Sequence, residues 1–535
     1  MKLIKDTSET KLRGGFYTPN IIAAFILKWA FNNHKNMDIL EPSCGDGVFL
    51  EEIQKGCYKY NSITAIEFDA TEANKARNIN LSDTQVIHSD FHDFCINTKK
   101  KFDLIIGNPP YIRYQYFDKQ QQKFAAEIFN KANLKYSKLT NAWVSFVIGS
   151  SLLLKDQGKI GFVLPAEILQ VSYAQTLREF LAHFYNKINI VSFKKLVFPD
   201  IQQEVVLLLC EKNKSQTHLI EHLELRDANE LNKLDVSRLK SPNKKIDFKS
   251  NKWTFYFLEQ KEIDFLENIQ KSQKILKLGK YAKVEVGITT GSNPFFTVPL
   301  STVQEYELEN YAKPLVGRSV QVPGIIFTKK DWQKNKEKEA RTHLLVFPKM
   351  VDLNKSTKAK NYIAWGEKQK INEGYKCRIR DEWQIVPSLR ISDALFIRRN
   401  NLFPKLIINE ANAYTTDTMH RVTINSNAEI KALTASYYNS LSLAFSEICG
   451  RSHGGGVLEL MPNEVEEILL PYHPDNADLL PEIDKGIRAK KDINEILAIT
   501  NQKILKEIFG FSNLEIKIAD KIWKKLSKRR LNRGK

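Results

Sequence analysis

Four residues, Asn108-Pro109-Pro110-Tyr111, follow the apolar run FDLIIG (102–107). If that run is a strand, they gather a side-chain amide oxygen, an adjacent carbonyl and an aromatic face at its carboxyl end. Such a set suits transfer of a methyl group to a flat, conjugated amine such as N6 of adenine. The lone pair of that nitrogen is delocalised into the ring, which makes it a poor nucleophile. Two acceptors aimed at its N–H bonds draw it towards a tetrahedral, more nucleophilic state, while the aromatic ring stacks on the base. The work is orientation and electrostatics, not strong base catalysis. Taken alone, the tetrapeptide also reads as a proline turn with a surface tyrosine, so its neighbours decide.

Those neighbours form a second constellation. Glu41-Pro42-Ser43-Cys44-Gly45-Asp46-Gly47 follows the run MDILE (37–41), and its glycines permit a tight turn and close approach of backbone N–H groups to a ligand. Glu67 ends the next strand-like run, about 20 positions further on, where an acidic residue can bind ribose hydroxyls. Asp90-Phe91 ends the one after, offering a carboxylate to an adenine amino group and a ring to pack on its face. A pyrophosphate-binding GxGxxG is absent, which disfavours a dinucleotide. Each carboxylate alone is an ordinary strand end; the ordered series is what carries meaning.

The elements that must position these residues are legible. MDILE (37–41), ITAIE (63–67), TQVIH (84–88), FDLIIG (102–107), KIGFVL (159–164), INIVSF (188–193) and EVVLLLC (204–210) read as strands. Residues 49–56, 71–79, 141–154 and 173–181 read as helices. Such alternation predicts an α/β fold with a doubly wound, mostly parallel sheet, whose ligand sits beyond the carboxyl ends of the strands. Around 211–260 the chain turns polar and lysine-rich, which marks a boundary, and βα alternation is lost beyond it.

Length and charge bound the rest. At 535 residues the chain exceeds one ordinary core, and a formal charge of +18 points to an acidic partner, nucleic acid first. An anionic membrane is the rival, but the longest apolar stretch, Ala142 to Leu154, is too short to span one. The N-terminus lacks the apolar core of a signal peptide. Six scattered cysteines (Cys44, Cys57, Cys95, Cys210, Cys377 and Cys449) show no metal-ligand or disulfide pattern, so no metal is expected and a reducing cytoplasm fits. Pro474-Asp475 and Glu482-Ile483-Asp484-Lys485 lack the spacing of a nuclease site.

The series resembles the gamma-class S-adenosylmethionine-dependent DNA adenine-N6 methyltransferases, the TaqI and Eco57I-type family. The resemblance runs from Phe16-Tyr17-Thr18-Pro19 through Glu41 to Gly47, Glu67, Asp90-Phe91 and Asn108 to Tyr111. It continues in Gly158 to Pro165 and Val197-Phe198-Pro199, and covers roughly residues 14 to 210. It implies a class I, Rossmann-like, seven-stranded sheet with the last strand antiparallel, and S-adenosylmethionine as cofactor. Tyr17, Thr18, Pro19, Glu41, Ser43, Cys44, Gly45 and Gly47 would serve its methionine end, Glu67 its ribose, Asp90 and Phe91 its adenine. Asn108 and the Pro109 carbonyl, with Pro110 shaping the turn, would accept from the target amine, and Tyr111 and Phe198 would sandwich a flipped adenine. Phe146 is a further candidate wall, for which core packing is the favoured reading.

The resemblance further implies a double-stranded DNA substrate, a bacterial or archaeal cytoplasm and a monomer. It admits a separately encoded cognate restriction endonuclease as a partner. Methylation of RNA adenine or of a protein glutamine on the same sheet is the alternative. The expected organisation is a catalytic domain over 1–250, a mixed α/β target-recognition domain over 251–484 and a basic helical segment over 485–535. Eight of the fifteen residues from Lys521 to Lys535 are Lys or Arg. In the recognition domain, Val286 to Asn293 resembles the family's opening segment, and Thr415 to Arg421 and Gly454 to Leu460 resemble later pieces, with His420 read as structural. Arg378, Arg380, Arg398 and Arg399, interleaved with aromatics, are the expected DNA contacts.

Overall fold

A computed structural model describes residues 17–32, 34–112, 116–138, 140–198, 204–240, 244–248, 252–353 and 356–532. Phe16, Pro199 and the basic residues from Arg533 onward, all named above, lie outside the described residues. The chain divides into two compact units, one ending at Ile263 and the other spanning Asp264–Asn532. The boundary therefore falls past the expected 250, and the C-terminal segment is no separate part.

In the first unit every expected strand forms: β1 (Met37–Glu41), β2 (Tyr60–Glu67), β3 (Thr84–His88), β4 (Phe102–Gly107), β5 (Leu154–Pro165), β6 (Lys187–Phe193) and β7 (Val205–Glu211). Two more, β8 (Leu219–Leu225) and β9 (Lys244–Lys245), extend the sheet to nine in the order β3-β2-β1-β4-β5-β7-β6-β8-β9. Seven strands become nine because β8 (LIEHLEL) pairs in parallel with β6, and β9 pairs antiparallel with β8. β7 runs antiparallel to both β5 and β6, as expected.

Strand order reverses between β1 and β4, which pair directly. That switch point leaves a crevice beyond the strands' carboxyl ends. The opposite ends of the same strands are clamped: Lys155 Nζ reaches Asp38 Oδ2 at 2.7 Å and Asp103 Oδ2 at 2.9 Å. One cation thus ties together the beginnings of β1, β4 and β5.

Helices α1 (Asn20–Ala30), α2 (Val48–Lys55) and α3 (Ala70–Asn78) precede or follow the first strands, and α4 (Phe91–Asn97), α5 (Lys119–Lys131) and α6 (Ala142–Leu152) the next. α1 is apolar nearly all round, and Ile22, Phe25, Ile26 and Trp29 join the core that Leu104, Val163, Leu207 and Phe198 share. α5 begins with a capping box between Asp118 and Gln121.

The second unit builds a four-stranded antiparallel sheet from Ala282–Val286, Met419–Ile424, Ala394–Ile397 and Leu406–Ile408. A second four-stranded sheet is made by Thr297–Val298, His343–Leu345, Ala312–Val316 and Tyr414–Thr415. The terminal helix Asn513–Leu531 buries Ile522, Trp523 and Leu526. Its Arg530 is fully buried and donates to Glu447 from Nε (2.9 Å to Oε2) and Nη2 (2.7 Å to Oε1). The third guanidinium nitrogen, Nη1, donates to the carbonyls of Asn401 and Gly456. The segment read as a basic helical end is thus partly a core element. Gly456, at φ 75°, lies where a Cβ would meet Leu531 Cα at 3.3 Å, so this glycine serves close packing.

Candidate active site

The crevice at the switch point is a cavity of about 640 Å³, within the range of small-molecule sites. Strand ends supply much of its wall, and Tyr17, Thr18 and Phe146 of α6 add to it. The turn after β1 is held by Cys44 N–H to the Ile66 carbonyl (2.9 Å) and Gly47 N–H to the Cys44 carbonyl (2.9 Å). Gly45 (φ 54°) and Gly47 (φ 99°) adopt left-handed backbone, and a Cβ at Gly47 would approach Ala76 Cα to 3.2 Å. Gly47 caps α2 without lining the cavity.

Glu67, at the end of β2, anchors this turn. Its Oε2 accepts from Gly45 N–H at 2.8 Å and its Oε1 from Asp69 N–H at 2.8 Å, at the entry to α3. The carboxylate expected to hold ribose therefore already ties two backbone segments together, and a carboxylate oxygen has a further lone pair for a hydroxyl. Glu41 lies deeper: it is 2% exposed and its Oε2 has no hydrogen-bond partner among the described residues. Burial first, then the charges of Glu67 and Asp46, push its carboxyl well above the usual range. The same surroundings, burial above all, push the Cys44 thiol up, which makes it a wall and not a nucleophile.

Asp90 follows β3 and caps α4. Burial pulls its carboxyl up, but hydrogen bonds and charge from His92 outweigh this and hold it below the usual range. Phe91 and Phe146 pack with ring centroids 4.8 Å apart and line the same end. Phe146, for which core packing was favoured, is buried and also a cavity wall. Asn108 and Pro110 close the cavity from β4, and the Asn108 carbonyl accepts from Ser43 Oγ at 3.2 Å.

Of the other expected residues, Tyr17, Thr18 and Ser43 line the cavity, whereas Pro19, Pro109, Tyr111 and Phe198 do not. Pro19 instead offers its carbonyl to the first turn of α1. Tyr111 donates its hydroxyl to the Val163 carbonyl at 3.2 Å and packs against the apolar cluster that contains Phe198, itself 5% exposed. Sequence reasoning missed His92, Phe68, Ile112 and Phe117, all lining residues. Phe68 had a signal, since it directly follows Glu67 and is 67% exposed.

The lining is strongly acidic: Glu41, Asp46, Glu67, Asp69, Glu72 and Asp90 contribute, with no Lys or Arg among the described lining residues. In a chain of charge +18 this inversion is a chemical statement. The cavity repels phosphates and favours a cationic ligand.

A family model described as Eco57I restriction-modification methylase matches residues 32–198, across the cavity-forming strands. A second, described as the C-terminal domain of Type II methyltransferase M.Eco57I, matches residues 250–505. The chain belongs to the Eco57I-type restriction-modification methylases. Type II methyltransferase M.AccI of Acinetobacter calcoaceticus is 26% identical to this methylase over 530 residues, covering 96% of the chain and 92% of its own length. M.HincII of Haemophilus influenzae is 32% identical over 214 residues, 39% of each protein. The solved type I restriction-modification methyltransferase subunit of Streptococcus thermophilus aligns at 17% identity with a TM-score of 0.36, over 43% of this chain and 53% of its own.

In the second unit of this methylase, the four arginines expected at DNA divide. Arg378 and Arg399 are exposed. Arg380 turns inward and donates to the carbonyls of Trp383 (3.1 Å), Thr289 (3.1 Å) and Thr290 (2.7 Å). Arg398 and Arg399 each donate from Nε to Glu459 Oε1 at 3.0 Å. His420 is fully buried against the Leu460 carbonyl at 2.7 Å, a structural placement. Asp484 of the rejected nuclease pattern pairs with Arg488 at 2.6 Å. No helix among the described residues is long and apolar enough to cross a membrane.

Proposed function

We propose that this Eco57I-type methylase transfers a methyl group from S-adenosylmethionine to N6 of an adenine extruded from double-stranded DNA, at a specific sequence. One observation carries the reading. The acidic cavity and Asn108 share one crevice, so a cationic ligand and the amide that would activate an amine meet at the end of β4. S-adenosylmethionine, when bound, supplies a sulfonium-linked methyl group and a second positive charge on its amino group.

The residues then divide the work. Glu67 accepts from ribose hydroxyls, Asp90 from the adenine amino group, and Phe91 and Phe146 flank that ring. Glu41 and Ser43 face the methionine end. Asn108 and the Pro109 carbonyl accept the two N–H bonds of the target amine and direct its lone pair at the methyl carbon. A stacked, paired adenine hides N6, so the base must leave the helix. Tyr111 and Phe198 are the rings assigned to sandwich the base, and Tyr111 packs against the apolar cluster that contains Phe198.

The test combines transfer and binding. Asn108→Ala abolishes tritium transfer to plasmid DNA, while S-adenosylmethionine still binds by calorimetry. Near-normal turnover in that variant would remove the assignment. Parallel transfer to bulk RNA and to protein separates the substrate classes, and modified-base sequencing identifies the base and its motif.

A further inference from the structure

His92 is a buried ionisable group with no task in the mechanism above. Its imidazole, 3% exposed, lies between α4 and α6. Nδ1 is 3.1 Å from Asp90 Oδ1, the oxygen that also accepts His92 N–H at 2.6 Å. Nε2 is 2.8 Å from Ser145 Oγ on α6, which also lies 2.9 Å from the Ala142 carbonyl. The ring stands edge-on to Phe146 at 4.8 Å, with an interplanar angle of 80°.

We propose that His92 is a positioning residue that fixes Asp90 and Phe146 so that the site recognises the 6-amino group of the cofactor's adenine. This rests on the reading of Asp90 given above. Both contacts from His92 fall on Oδ1, which leaves Oδ2 to accept an N–H of the ligand. Ser145 holds the far side of the ring in either protonation state. It donates to Nε2 of the neutral ring, or accepts from an imidazolium while donating to Ala142. The Asp90-His92-Ser145 order resembles a hydrolytic triad only in composition. Ser145 is 1% exposed, so no substrate carbonyl reaches its oxygen. What the relay can do is hold one carboxylate and one ring in register against a ligand.

The experiment uses the full chain and two ligands, S-adenosylhomocysteine and its hypoxanthine counterpart, in which a carbonyl replaces the 6-amino group. Calorimetry gives the affinity ratio of the two. His92→Leu is expected to lower that ratio tenfold or more, the size of a lost charge-assisted hydrogen bond, while hypoxanthine-ligand affinity stays within about threefold. His92→Asn, whose amide can still donate to Asp90, retains most of the ratio, and Ser145→Ala lowers it in the same direction as His92→Leu. Equal weakening of both ligands in His92→Leu, or an unchanged ratio in both His92→Leu and Ser145→Ala, overturns the proposal. Asp90→Ala separates the two levels. If it too leaves the ratio intact, the reading of the adenine end falls and takes the proposal with it. If Asp90→Ala collapses the ratio and the His92 variants do not, only the role of His92 is lost.

Discussion

Replacing Glu67 with glutamine isolates a task that the geometry assigns to it before any ligand arrives. Its two carboxylate oxygens accept from Gly45 N–H and Asp69 N–H, each at 2.8 Å. A carboxamide of the same shape has one oxygen, so one backbone N–H must face an NH₂ group. A hydrogen bond to a charged acceptor contributes about 1.5–3 kcal/mol, so losing one loosens the local turn by that amount. In a local opening equilibrium this is about tenfold to hundredfold. Hydrogen exchange read by mass spectrometry over the segments containing Gly45 and Asp69 should show acceleration of that size in Glu67→Gln. Glu51→Gln, which removes an exposed α2 partner of Lys55, is the control and should change neither segment. Unchanged protection at both amides in Glu67→Gln would show that the carboxylate does not clamp the turn. S-adenosylmethionine affinity should fall as well, because the amide offers ribose fewer acceptors.

Other predictions concern charge and pH. The Glu41 carboxyl titrates well above its unfolded value, so its stability contribution is fully present below about pH 4.5 and is lost as pH rises through the raised folded value. Glu41→Gln should therefore raise the melting temperature of the ligand-free protein at neutral pH, and an unchanged or lowered value would contradict this. Wild-type affinity for a cationic cofactor should rise with pH as Glu41 ionises, a dependence that Glu41→Gln abolishes in calorimetric titrations. Glu459 shows the opposite sign: the His453 hydrogen bond first, with Arg398 and Arg399, lowers it from 4.5 to about 2. It stabilises the second unit by at most about 3 kcal/mol above pH 4.5, and that is lost as pH falls towards 2. Urea midpoints measured across this window should converge with those of Glu459→Gln at the acid end. Arg530→Met leaves Glu447 buried and unpaired and should cost about 3–5 kcal/mol in urea denaturation, most of it recovered in Arg530→Met/Glu447→Leu.

Much of the first unit was legible because its central strands are mostly buried and read as apolar runs, while the edge strand β3 shows as a short run rich in β-branched residues. TQVIH and FDLIIG begin and end where β3 and β4 do. The missed elements had weaker or competing signals. α4 begins at the Asp90-Phe91 pair that reads as a strand end, because an N-cap and a ligand-binding carboxylate are the same residue type. α5 carried an overlooked capping box, and β8 lies inside the polar stretch read as a boundary. The site's strand-end residues were found because their order along the chain follows the order of strand ends. His92 was invisible because its role depends on Ser145, 53 positions away. Arg380 and Arg398 have protein partners, backbone carbonyls and the Glu459 carboxylate, that sequence does not reveal: an arginine flanked by aromatics looks the same whether it meets phosphate or protein.

The burial of Arg530 sets a schedule for biosynthesis. Residues 37–225 carry all the strands of the large sheet but the two-residue β9, so most of the first core can assemble while the remainder is still being translated. The second core has no such freedom. Glu447, and the carbonyls of Asn401 and Gly456, wait for a guanidinium from residue 530. Until that residue emerges, an uncompensated acid sits in the nascent interior, so this half should be the one that leans on chaperones and fails first when translation is interrupted.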